Sequence, residues 1–227
     1  MSLKLNKYKI IKILLVYFIF IPFTILPEIL PFGRHYVHKQ GTVDLLDFPG
    51  DSGRTIAKIP YGARVDIEKE VSPPNHKEGT IPGFYRMATY KKDVGYIFDG
   101  YLSKYPPPLN RCDNLKNYAD ESFKRVNSKI RNDKIFKGII TNYIGGIRHI
   151  LGKTNKERFQ KLIIPNALFK DAYYIAKICS HPAFHGISFP ENKEEIVETM
   201  DDLKGNKLQL IVKKEKKMVS IIQKEFY

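Results

Sequence analysis

Val94-Gly95-Tyr96-Ile97-Phe98-Asp99-Gly100-Tyr101-Leu102-Ser103 decides how the chain is read. Tyr96 and Phe98 alternate with Gly95 and Ile97, the period of a strand, and Asp99-Gly100 is a turn signal. The stretch therefore predicts a short strand entering a tight turn that closes a small β-barrel. Working backwards, residues 34–105 keep the same period. Val65 and Ile67 alternate with Arg64, Asp66 and Glu68, and Tyr85-Arg86-Met87-Ala88 repeats the pattern. Turn residues separate the runs at Phe48-Pro49-Gly50-Asp51, at Pro60-Tyr61-Gly62, and across 71–83, which holds three prolines. Short strands at this spacing make a sandwich or barrel. Leu45, Ile56, Ile59, Val65, Ile67, Met87, Ile97 and Leu102 are the expected core.

The order of these signals resembles the bacterial SH3 (SH3b) domain. Val43-Asp44-Leu45 with Phe48-Pro49 stands where that family has its first strand and turn. Ile56-Ala57-Lys58-Ile59-Pro60-Tyr61-Gly62 stands at its next strand and glycine. Gly83-Phe84-Tyr85-Arg86-Met87 resembles its Gly-Trp-Tyr-Lys-Val, and Gly95-Tyr96-Ile97 with Tyr101-Leu102-Ser103 its closing pattern. The chain has no Trp, so Phe84 and Tyr96 replace the usual tryptophans, and the 71–83 insertion is long. The resemblance covers about a third of the chain and implies an SH3-like barrel that binds cell-wall peptides or proteins. Aromatic rings between loops can hold an extended peptide. The groove candidates are Phe48, Tyr61, Phe84, Tyr96 and Tyr101, each of which can equally be a half-buried barrel residue.

Upstream, Lys4, Lys7, Lys9 and Lys12 precede an uncharged run over 13–26. A basic head before an apolar run is a signal sequence. Ser and Ala, which signal peptidase favours, are missing from 3–51. An uncleaved anchor through residues 13–30 is therefore expected, with the remainder facing the periplasm or cell exterior. Cleavage would leave a secreted protein.

Downstream, Pro106-Pro107-Pro108 marks a boundary, because proline cannot continue a sheet. The expected organisation is a signal or anchor (1–33), a barrel (34–105), a linker (106–114) and a small α+β domain (115–227). Helical spacing is read over 112–127, 167–180 and 194–203. Strands are read within 136–151, over 158–164, and in a closing hairpin of 208–212 and 218–222. The fold expectation is thus an N-terminal hydrophobic helix, a mostly β SH3-like barrel and an α+β domain.

The formal charge is +14, and residues 106–227 hold 23 basic against 14 acidic residues. This suits a lysine-rich solvated surface or attraction to an anionic polymer or lipid. Nucleic acid is not an expected partner of an exported domain. The chain's 2 cysteines exclude a four-thiolate zinc site. Cys112 and Cys179 can pair in an oxidising compartment, for ~4 kcal/mol on loop entropy, or remain free buried thiols.

Cys179-Ser180-His181-Pro182-Ala183-Phe184-His185 is the one cluster that resembles a metal or thiol site. In SH3b-linked cysteine peptidases the cysteine starts a helix and the histidine is distant. Here the cysteine ends a helix and the histidines follow at once. No catalytic residue, metal or cofactor is assigned. Two readings follow. The first is a non-enzymatic envelope protein that binds a peptidoglycan peptide or envelope protein. The alternative is an envelope hydrolase with the barrel as targeting domain and a catalytic C-terminal half.

Overall fold

The computed structural model describes residues 29–108, 112–133, 136–191 and 194–227. Among them the chain is mostly β, with two antiparallel sheets and two α-helices. The signal or anchor falls largely outside the described residues. No helix among those described is long and apolar enough to cross a membrane.

The first sheet contains β1 (Gly33–Val37), β2 (Thr42–Leu46), β3 (Thr55–Pro60), β4 (Arg64–Glu78), β5 (Ile81–Tyr90), β6 (Asp93–Phe98) and β7 (Leu102–Ser103). Their order is β3-β2-β6-β5-β4-β1-β7. The expected closed barrel is not formed: β3 and β7 are end strands. β7 is only 2 residues long, and β2 touches β6 through the single pair Leu46–Tyr96. That contact sits beside Gly95, where a Cβ would lie 2.5 Å from the Leu46 carbonyl oxygen. Period-two burial otherwise holds. Val43, Leu45, Ile59, Val65, Ile67, Ile97 and Leu102 are buried. Ile56 and Met87, expected inside, are 46% and 37% exposed.

The 71–83 segment is a long hairpin of β4 and β5, not a loop. Its register shifts between Ser72 and His76. A register shift of this kind is the mark of a β-bulge or irregularity.

Arg86, on β5, is fully buried. Its guanidinium donates to the carbonyls of Leu30 (2.9 Å), Glu70 (2.9 Å) and Glu68. It lies 3.7 Å from the Asp99 carboxylate, which accepts the Phe84 N–H at 2.9 Å. One cation thereby ties the first described residues, the bulged part of β4 and the 99–101 turn together.

The second sheet contains β8 (Arg125–Asn132), β9 (Lys137–Tyr143), β10 (Arg148–Lys153), β11 (Glu157–Pro165), β12 (Glu195–Asp201), β13 (Lys207–Glu215) and β14 (Met218–Phe226), in the order β12-β13-β14-β11-β10-β9-β8. Helix α1 is Leu115–Ser122, started by Asn114, whose side chain accepts the N–H groups of Lys116 and Asn117. Helix α2 is Phe169–Cys179, and the Asp171 carboxylate accepts the Leu168 N–H at its start.

Two helix expectations are corrected. The 112–127 helix stops at Ser122, and the chain turns into β8. Within 194–203 the chain forms β12 (Glu195–Asp201), because Ile196 is buried against the sheet while Val197 stays exposed, a period of two.

Both helices pack on one face of the second sheet, against Leu162, Ile164, Leu208, Leu210, Val212, Val219 and Ile221. Helix α2 also faces the first sheet. Lys170 Nζ donates to the Asp99 carbonyl at 2.6 Å, and Tyr174 Oη to the Gly100 carbonyl at 2.8 Å. The proline stretch is held too: Tyr118 donates to Pro106 at 3.0 Å and Tyr61 to Pro108 at 2.5 Å.

Candidate ligand cleft

Where helix α2 meets the first sheet, a cleft of about 780 Å³ opens. Separate parts of the chain build it. The β1–β2 turn contributes His38, Lys39 and Gln40, and the 99–101 turn contributes Tyr101. Cys112 and Asp113 precede α1. Tyr173, Tyr174 and Lys177 come from α2, followed by Ser180 and His185. The volume lies in the range of small-ligand pockets, roughly 300–1,000 Å³.

The walls are aromatic and cationic. Lys39 Nζ sits 4.2 Å from the Tyr101 ring centroid and 3.6 Å from Glu78. Lys177 Nζ lies 5.5 Å from the Tyr173 ring centroid and 3.2 Å from its hydroxyl. A lysine over a tyrosine face keeps its charge close to an apolar surface.

His38 is buried, with Nε2 2.9 Å from the Tyr105 carbonyl. Burial pushes its pKa down to about 4, and the Tyr105 contact only partly opposes this. The ring is therefore neutral at ordinary pH. A carbonyl can only accept, so Nε2 carries the hydrogen. Nδ1 is left without a partner among the described residues, as is Ser180 Oγ. Burial also pushes up Tyr101, further raised by Glu78.

One wall is stapled. Cys112 and Cys179 form a disulfide, with Cα atoms 4.9 Å apart. It joins the segment leading into α1 to the end of α2. The 179–185 cluster is arranged locally. His181 Nδ1 accepts the Ala183 N–H, and His185 Nε2 is 3.1 Å from the Ser180 carbonyl. Neither histidine faces a thiolate, because the sulfur is in the disulfide.

The five groove candidates do not converge. Tyr101 is 8% exposed and is the one of the five that lines the cleft. Tyr61 turns to Pro108, and Phe48 is 60% exposed on the 47–53 turn. Phe84 and Tyr96 are half-buried on neighbouring strands. Sequence reasoning missed His38, Lys39, Asp113 and Lys177. Nothing in their local pattern links segments more than sixty residues apart. The signal available was the 179–185 cluster, which forms the cleft rim.

Comparison with known proteins gives no match to a family model, a curated protein or a solved structure.

Proposed function

We propose that this chain is a non-enzymatic, envelope-associated binding protein. In this reading the N-terminal segment exports it. It then stays anchored through residues 13–30 or is released by cleavage. Its first half is a divergent SH3b-type module with an open sheet. The ligand is a cell-wall peptide or an envelope protein.

The observation that carries the reading is the cleft of about 780 Å³ between the two halves, with lysines laid on tyrosine rings. The Cys112–Cys179 disulfide supports it, since such bonds persist in oxidising compartments. The basic excess of residues 106–227 suits an anionic wall polymer nearby.

Sedimentation of the full-length protein with purified peptidoglycan tests the wall version. Co-pelleting, weakened by Lys177→Glu, is the expected outcome. Full recovery in the supernatant would remove the wall ligand and leave an envelope protein as partner.

A further inference from the structure

Resting on the reading of this cleft as a ligand seat, we propose that it takes a short zwitterionic peptide, with the free carboxylate at Lys177 and the free ammonium at Asp113. Both side chains line the cleft, and neither makes an ion pair among the described residues. They do not pair with each other across it. Lys39, by contrast, already has Glu78 at 3.6 Å. Among the described residues, the cleft thus offers one cation, Lys177, and one anion, Asp113, that lack an ion pair. A ligand carrying both charges satisfies both, whereas a simple anion or cation leaves one unanswered. Matched charges of this kind set orientation and selectivity.

The rest of the wall is suited to a peptide body. Tyr101, Tyr173, Ile81 and Ile178 supply apolar surface. Ser180 also lines the cleft, and its buried Oγ has no partner among the described residues. A single amino acid would leave most of about 780 Å³ empty, so several residues are required. The disulfide fixes the Asp113 side relative to α2, which carries Lys177. The backbone positions that carry the two charges are therefore held before the ligand arrives, which lowers the ordering cost of binding.

The test is a cycle of ligand and protein changes read by isothermal titration calorimetry on the full-length, disulfide-intact protein. The probes are trialanine, N-acetyl-trialanine and trialanine C-terminal amide. In the native protein each cap should weaken binding at least about tenfold. In Lys177→Met the amide should bind as well as the free acid, while the acetyl penalty remains. In Asp113→Asn the pattern should reverse. Both variants sit at the cleft surface, and an unchanged circular dichroism melt confirms that they fold. Equal affinity for all three probes would overturn the proposal, as would penalties that survive in the matching variant. Absence of trialanine binding up to about 10 mM would also overturn it. Peptidoglycan sedimentation could still succeed in that case, so the two readings fail separately.

Discussion

The two sheets solve the same problem by different means. The first has bulged strands of very uneven length, and at its centre it buries a cation. The second has long regular ladders over an aliphatic core, with two helices on one face. Leu210, Val212 and Ile221 stabilise the second sheet by leaving water, at ~1.5–3 kcal/mol each. Arg86 stabilises the first sheet by directional bonds to the Glu68 and Glu70 carbonyls, in the register shift between Ile67 and Val71, and to the Leu30 carbonyl ahead of β1. Irregular backbone must find partners for its polar groups, and a long forked donor can reach several at once. The regular sheet meets that need within its own ladders.

This contrast predicts unequal sensitivity. Arg86→Leu should have the largest effect, about 4 kcal/mol, because it strands buried carbonyls and leaves the buried Asp99 carboxylate with Lys170, 3.9 Å away, as its one remaining cation among the described residues. Urea unfolding of the protein, beside Leu210→Ala as the aliphatic reference, measures it. A cost below that of Leu210→Ala would show that the cation is a tolerated substitute for packing and not the organiser of the first sheet.

Acid should come next, and it should act on both sheets. His38 in the first and His149 in the second are buried, and burial pushes each down to about 4. Both rings are neutral in the fold and take up a proton near 6.5 when unfolded. Their contribution is therefore complete above about pH 6.5 and is lost as pH falls towards 4. Each ring accounts for ~2–3 kcal/mol across that window. Asp171 works in the opposite sense. Burial raises its pKa above the usual carboxylate value, against hydrogen bonds from Ser103 and Leu168, so acid relieves a buried charge there. Melting temperature followed from pH 7 to pH 4 should fall. His38→Phe should flatten the slope, and a flat native profile would show that the histidines do not control it.

How far the sequence foretold this structure differs between the sheets for the same reason. Alternation identified β2, β4, β6 and the closing Leu102, because one face of each is buried. It predicted the β13–β14 hairpin equally well. It failed at 71–83, where prolines signal a turn but β4 and β5 pair as a hairpin whose register shifts between Ser72 and His76. It failed again at 194–203, where Glu195, Glu198 and Asp201 look like an acidic helix face until the burial of Ile196 is known. Barrel closure was not legible, because it depends on whether β7 reaches β3. The cleft was least legible of all. Tyr101 entered as a groove residue on an SH3b resemblance, and its companions lie on α2 and the pre-α1 segment, which no local period connects to it.

The smallest effect should come from β8, whose residues are all exposed and which ends the second sheet. Ile130 is 84% exposed and stands opposite Ile139 on β9, itself 41% exposed. Threonine keeps the branched side chain that suits a strand, and little apolar area is lost, so Ile130→Thr should change stability by less than about 0.5 kcal/mol. The neighbouring contact makes the comparison informative. Arg125, at the start of the same strand, is tied to Asp120 on α1 at 2.7 Å, and Tyr143 on β9 donates to the same carboxylate at 2.8 Å. Burial alone would raise the Asp120 pKa, yet bonds from Lys116, Arg125 and Tyr143 hold it well below the usual carboxylate range. If this anchor, and not packing at the tip, holds β8 in register, hydrogen exchange in β8 should stay unchanged in Ile130→Thr and accelerate in Asp120→Ala. Acceleration in Ile130→Thr instead would mean that the exposed isoleucine pair holds the strand, and the second sheet would be less uniform than its ladders suggest.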